Sequence, residues 1–385
     1  MRIRDFQATG RCGVKVIVPF ADVVGEWQPV RAKALEGIDR VFSHGRFVGG
    51  PEIAELEQKL AGITGARFAV ACASGTTALQ MAMMALGIGP GDEVIVPDFT
   101  FIAPAESALV LGAEPVLVDV LRPSGLLDPD ELETAISSRT KAIVAVSLFG
   151  LPANFEAINS IAARHGIPVI EDAAQSLGAG LENRRSGNLA RLGCTSFFPT
   201  KVLGGAGDGG AVFTNDEVMA GALREIRDHG QGGKYHHLRL GMNGRMSSIA
   251  AAALLARLDR FSKALDRRRS IGELYDRLLE PLRETGRLDY VRSPDLAGSA
   301  RSQYAVVLED REALARGLRE AGIETAVHYP APLHDQPVLQ HCRRSGLLET
   351  ASMLAKSILC LPIHPGLADE QVNLTVERLG ALVQA

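Results

Sequence analysis

The sequence predicts an α/β protein, with a large, mostly parallel sheet wrapped by helices and a smaller α+β domain after it. Three observations carry this. Between residues 60 and 215 short apolar runs alternate with longer segments of helical spacing, the rhythm of βαβ units. The runs are apolar at successive positions, as in strands buried on both faces. After Asn243 that rhythm stops, and long helical stretches with isolated strands follow.

Taken in order, the expected strands cover residues 67–72, 93–96, 115–118, 142–147 and 167–171. Helical spacing fills residues 76–86, 102–111, 130–136 and 154–165 between them. Residues 247–282 read as one long helical stretch, Ala-rich at first and then basic at Arg267, Arg268 and Arg269, a solvated or ion-paired face. A strand over 304–308 and helices over 311–321 and 369–383 complete the second domain. The expected division is a leader over 1–16, a large domain over 17–260 and a small C-terminal domain over 261–385.

Composition narrows the classes. A chain of 385 residues and 41.0 kDa is long enough for two or three domains. With 46% hydrophobic and 22% charged residues it is globular rather than disordered. A net charge of −4 without a long basic run argues against nucleic-acid binding. No apolar run reaches the roughly 18 residues of a membrane span. Residues 1–16 lack the apolar stretch of a signal peptide. Cys12, Cys72, Cys194, Cys342 and Cys360 form no Cys-x-x-Cys pair, and His236-His237 has no other spaced ligands. No metal site is expected, and scattered free cysteines fit a cytoplasmic location.

Three stretches carry chemistry. Ala73-Ser-Gly-Thr-Thr-Ala78 leaves an expected strand and opens a helix. Such a turn presents free N–H groups and the positive end of the helix dipole to a phosphate. An ordinary N-cap by Ser74 or Thr76 has the same sequence pattern. Asp172 follows the apolar run Val169-Ile-Glu171. It suits either a strand-end cap or a carboxylate that keeps a ring nitrogen protonated. Lys201 stands between an apolar run and the glycines of Gly204-Gly-Ala-Gly-Asp-Gly-Gly210, which allow backbone to approach a ligand closely. An anion cradle, a pyridinium partner and an amine able to condense with an aldehyde are together the parts that pyridoxal 5'-phosphate requires.

With these motifs the chain resembles the sugar aminotransferases of the DegT/DnrJ/EryC1/StrS family, of pyridoxal-phosphate fold type I. The resemblance runs from about Ile17 to the C-terminus through Ser74-Gly-Thr-Thr-Ala78, Glu171-Asp-Ala-Ala-Gln175, Ser196-Phe-Phe-Pro-Thr-Lys201, Gly207-Asp-Gly-Gly210, Gly241-Met-Asn-Gly-Arg-Met246, Val327-His-Tyr-Pro330 and Leu361-Pro-Ile-His-Pro365. It implies that Lys201 bonds to the cofactor and shuttles the proton, and that Asp172 pairs with the ring nitrogen. It further implies that Gln175 lies near the ring, that Gly75, Thr76 and Ser196 bind the phosphate, and that Phe101 stacks on the ring. Asn243 is implied to reach the phosphate from the other subunit of a homodimer with shared sites.

His229-Gly-Gln231, Tyr235-His-His237 and Met242-Asn-Gly-Arg245 are most similar to the branch acting on UDP-2-acetamido-2-deoxy-3-oxo-glucuronate. That branch implies L-glutamate as donor, a keto sugar nucleotide as acceptor, surface polysaccharide as destination, and Arg245, His328, Tyr329 and His229 as substrate contacts. Interface ion pairing of Arg245 and a plain turn at His328-Tyr329 stay open. Gly244 and Gly205-Ala206 are smaller than the residues usual in the family and are expected to widen the substrate pocket. Two other readings keep part of the pattern: an aminotransferase for a 3- or 4-keto dTDP-sugar or keto-cyclitol, and a pyridoxal-phosphate-binding regulatory protein.

Overall fold

The computed structural model describes residues 16–122, 124–181, 183–292 and 298–384. The leader expected over residues 1–16 lies outside them except for its last residue.

Two sheets matter here, and their strands in the first half are β1 (Phe68–Cys72), β2 (Glu93–Pro97), β3 (Glu114–Val118), β4 (Thr140–Val146), β5 (Val169–Asp172), β6 (Leu192–Ser196) and β7 (Gly210–Thr214). The second half adds β8 (Leu288–Tyr290), β9 (Tyr304–Leu308), β10 (Arg343–Ser345) and β11 (Ile358–Leu361). Eight of them form one sheet in the order β1-β7-β6-β5-β4-β2-β3-β10. Only β7 runs antiparallel to its two neighbours in that sheet.

The expected five strands and the mostly parallel sheet are present, and the continuous apolar runs have their reason in the packing. On β2, Val94 and Val96 pack with Leu79 and Met83 on one face. Ile95 between them packs with Phe155 and Ile158 on the other. Both faces of the strand are covered, so neither can be polar.

Six helices matter below: α1 (Arg31–His44), α2 (Pro51–Thr64), α3 (Gly75–Ala85), α4 (Ser248–Leu258), α5 (Phe261–Glu284) and α6 (Asp369–Gln384). The single helix expected over 247–282 is therefore two, broken at Asp259-Arg260. The break lets each part bury a different face. The Ala-rich α4 packs closely on α1, where a Cβ on Gly37 would stand 3.3 Å from Ala252 Cβ. The polar-striped α5 instead lays Ile271, Tyr275 and Leu279 on the second sheet. That antiparallel sheet has the order β8-β9-β11. Val372 and Leu379 of α6 close the same core.

The two halves are interleaved. β10, from the stretch assigned to the second domain, pairs in parallel with β3 of the large sheet. Conversely, Val18 bridges Ile323 and sits in the second core. The C-terminal half thereby returns a strand, and the loop before it, to the edge where the site lies.

Candidate active site

The chemistry-bearing residues collect at the carboxyl ends of the parallel strands, where open α/β sheets place ligands. Asp172 is the last residue of β5 and is only 8% exposed. Ala174 N–H donates to its Oδ1 at 3.0 Å. Burial pushes its carboxyl above the ordinary range, while the Ala174 N–H and the charge of Lys201 favour the ionised form. Lys201 lies in the turn after β6, its N–H donating to the Phe198 carbonyl at 2.9 Å. Burial lowers its ammonium pKa, and the charge of Asp172 opposes that. Lys201 and Asp172 are thus neighbours in one desolvated space.

The turn from β1 into α3 forms the opposite wall. Ser74 caps α3, its Oγ accepting the Thr77 N–H at 3.0 Å. The N–H groups of Gly75 and Thr76, in the first turn, have no acceptor among the described residues. Both readings of this stretch hold together: Ser74 caps, and the two amides next to it stay free. A Cβ on Gly75 would stand 2.7 Å from Ser196 Cβ, and one on Gly210 would stand 2.3 Å from the Ser74 carbonyl oxygen. The missing side chains let α3, β6 and β7 meet. Ser196 Oγ accepts the Phe198 N–H at 3.2 Å, so its own hydrogen is free to donate into the same corner.

Two further elements complete the site. Gln175 is buried after β5; its Oε1 accepts the Phe149 N–H at 2.8 Å, and its Nε2 donates to the Tyr329 hydroxyl at 3.2 Å. Tyr329 stands among Phe99 and Phe101, with ring centroids 6.3 and 6.1 Å away. Phe101 is 54% exposed. Burial, with the charge of Asp172, raises the Tyr329 hydroxyl pKa. Burial, with the charge of Lys201, lowers that of His328. Tyr329 thus lines the same space through Gln175 and the two phenylalanines, with the His328 ring 5.6 Å from its own.

Arg245 and His229, the other expected substrate residues, and Asn243 lie on the strap over residues 228–246, whose Gly244 carbonyl accepts the Ala73 N–H at 2.9 Å. Arg245 is ion-paired with Asp228 of its own chain. His229 is exposed, with φ +59°, and its carbonyl accepts the His237 Nδ1–H at 2.8 Å. Asn243 is exposed and bridges Asp228 in backbone pairing. The expectation that Gly244 widens a pocket does not hold. Gly244 is buried against α3, and a Cβ there would stand 3.1 Å from Thr77 Cγ2, so its small size serves packing. Sequence reasoning passed over Asp98, Phe99 and His334. An acid and aromatics directly after an apolar strand were the available signal for the first two.

These residues fit pyridoxal phosphate. Two unpaired amides and a hydroxyl make an anion corner that a Cβ would fill. A buried carboxylate stands beside a desolvated amine, and an aromatic wall stands near both.

Residues 29–380 match the DegT/DnrJ/EryC1/StrS aminotransferase family. The chain is 44% identical over 364 residues to the UDP-2-acetamido-2-deoxy-3-oxo-D-glucuronate aminotransferase of Pseudomonas aeruginosa, covering 93% of this chain and 98% of that one. It is 40% identical over 355 residues to the UDP-N-acetyl-3-dehydro-alpha-D-glucosamine 3-aminotransferase of Acidithiobacillus ferrooxidans, covering 92% and 95%. A crystal structure of a DegT DnrJ EryC1 StrS aminotransferase from Brucella abortus matches with a TM-score of 0.91 at 38% identity, covering 94% of this chain and 99% of that one. With both its site and its full-length relatives in view, the chain belongs to the DegT/DnrJ/EryC1/StrS aminotransferase family and is a pyridoxal-phosphate-dependent transaminase.

Proposed function

We propose that this transaminase moves an amino group from L-glutamate to C3 of a UDP-linked 3-keto-2-acetamido uronate, in the cytoplasm, for surface polysaccharide. The observation that carries this reading is the 44% identity, over nearly both full lengths, to an enzyme named for that substrate. The second relative is named for a UDP-linked 3-keto sugar without the uronate carboxyl. The two names agree on nucleotide and carbon and differ at C6.

Bound pyridoxal phosphate supplies an aldehyde carbon that takes and passes on the amino group, and a ring that draws in the electron pair. The chain's own residues do the rest. Gly75, Thr76 and Ser196 would hold the phosphate at the start of α3, and Asn243 from a second copy of the chain would join them. Burial raises the Asp172 carboxyl pKa while the Ala174 N–H and the charge of Lys201 favour its ionised form, and that carboxylate would pair with a protonated ring nitrogen. Gln175 and Phe101 would hold the ring. Lys201 would take and return the proton of the substrate carbon; burial lowers its pKa, which raises the share of neutral amine available as base. His328 and Tyr329 face the sugar, with His229 at the rim.

Arg245 receives the C6 carboxylate, because a guanidinium fork matches a carboxylate in two hydrogen bonds. It must exchange Asp228 for the substrate, since the two are paired. That same pairing favours a second reading, a UDP-linked 3-keto sugar with a neutral C6, which needs no exchange. The test measures 2-oxoglutarate release with UDP-linked 3-keto sugars carrying or lacking the C6 carboxyl, alongside 3- and 4-keto dTDP-sugars. A tenfold or greater preference for the uronate in kcat/KM is expected. Arg245→Ala should remove that preference and leave the KM for glutamate unchanged. Equal use of both UDP-sugars by the parent enzyme supports the second reading.

A further inference from the structure

We propose that Asp98 and His334 are a positioning pair, stapling the segment that carries Phe99 and Phe101 to the one that carries His328 and Tyr329. The inference goes beyond the substrate reading above and rests only on the transaminase activity.

Asp98 directly follows β2, and none of it is exposed. Every polar atom it has is engaged. Its N–H donates to the Val118 carbonyl at 2.8 Å, and its carbonyl accepts the Leu333 N–H at 2.8 Å. Its Oδ1 accepts the His334 N–H at 2.9 Å, and its Oδ2 accepts the His334 Nδ1–H at 2.5 Å. A carboxylate accepts only, so the ring is fixed with Nδ1 as donor. His334 is held elsewhere too: Arg344 donates to its carbonyl at 3.1 Å, and Ser352 Oγ lies 3.5 Å from Nε2.

From this staple the chain runs three residues forward to Phe101 and five residues back to Tyr329. At those far ends the rings meet again, Tyr329 lying 6.1 Å from Phe101 and 6.3 Å from Phe99. The two segments form a closed frame, with the paired Asp98–His334 hydrogen bonds at one end and the aromatic wall of the site at the other. Tyr329 is also the partner of Gln175. A change at the staple is therefore transmitted to Tyr329, Phe101 and Gln175, the groups that would hold the cofactor ring. Placement errors of about 1 Å at such distances cost on the order of a hundredfold in rate.

The test uses the full-length, cofactor-loaded enzyme with three variants, His334→Asn, His334→Phe and His334→Gln. Each is read by visible circular dichroism of the cofactor, by single-turnover keto-acid release from the parent's own amino donor, and by Tm. Asn places an N–H where Nδ1–H stood. It should keep the visible band and stay within about threefold of the parent rate, since the hydrogen bond survives. Phe keeps the shape without the donor. It should alter the visible band and lose about tenfold to a hundredfold in single-turnover rate. If the Phe variant does not fold, Gln, whose amide reaches the Nε2 position instead, carries the same expectation. A Phe or Gln variant with a lowered Tm but the parent's band and rate overturns the proposal. So does equal impairment of Asn and Phe. Failure of every sugar acceptor leaves these readouts intact, so the substrate reading fails separately.

Discussion

Lys201, half-buried, and Glu171, fully buried, are both desolvated ionisable groups, and their neighbours give them opposite tasks. Lys201 shares its space with Asp172, so its amine is desolvated yet still near an anion. Lys201→Ala should abolish turnover and remove the visible absorption band of the loaded enzyme, both checked on one cuvette of purified protein. Normal turnover in that variant excludes the proton-shuttling role. Glu171, one residue before Asp172, points into the scaffold instead. Ser186 Oγ donates to its Oε1 at 2.6 Å and Leu189 N–H to its Oε2 at 3.0 Å. Burial nevertheless pushes its carboxyl up to about 7. The folded pKa stands above that of an unfolded glutamate, so the folded state holds the extra proton. Stability from this group is complete on the acid side and falls as pH climbs through about 7. Glu171→Gln keeps the neutral form at every pH. Its Tm relative to the parent should rise between pH 5 and pH 8, by up to about 3 kcal/mol in stability. A gap that stays constant with pH shows that Glu171 does not titrate there.

At the scale of elements, the anion corner exists because three of them meet without side chains between them. Gly75 starts α3 and abuts the end of β6. Gly75→Ala should push α3 away from Ser196 and weaken cofactor binding about tenfold, as measured by fluorescence titration, which corresponds to about 1.4 kcal/mol. Gly62 in α2 is the control. It is exposed, with open space around its Cβ position, and Gly62→Ala should raise stability by about 1 kcal/mol in urea unfolding. An unchanged cofactor affinity in Gly75→Ala removes the corner from the binding machinery. The strap over 228–246 shows the same economy of space: Gly244 lies flat against α3 and hydrogen-bonds the Ala73 N–H at 2.9 Å. That contact puts Asn243 and Arg245 on a segment fixed to the turn before α3, while the Asn243 side chain stays at the surface.

At the scale of the whole molecule, the proposed sharing of sites between two copies is testable by mixing. A Lys201→Ala subunit retains Asn243, and an Asn243→Ala subunit retains Lys201. Refolding the two together should give activity above the sum of the separate proteins, because one site per mixed dimer is intact. Activity no greater than that sum rules out sharing through Asn243. Legibility in the sequence divides along the same scales. The strand order of events from residue 67 to 171, the Ser74–Thr76 turn, Asp172 and Lys201 were readable because each is written in adjacent residues: burial on both faces demands an apolar run, and a helix start demands a cap. Other features join residues far apart in the chain and leave no local trace. The antiparallel insertion of β7, the return of β10 to the large sheet, the break between α4 and α5, the pairing of Arg245 with Asp228 and the clasp of Asp98 on His334, 236 residues away, are of that kind. Local propensity and hydrophobic pattern thus determined the elements and the parts of the candidate cofactor site. Packing between distant segments alone decided which side chains face one another, because a contact is fixed by the closed path of the whole chain and not by its neighbours in sequence.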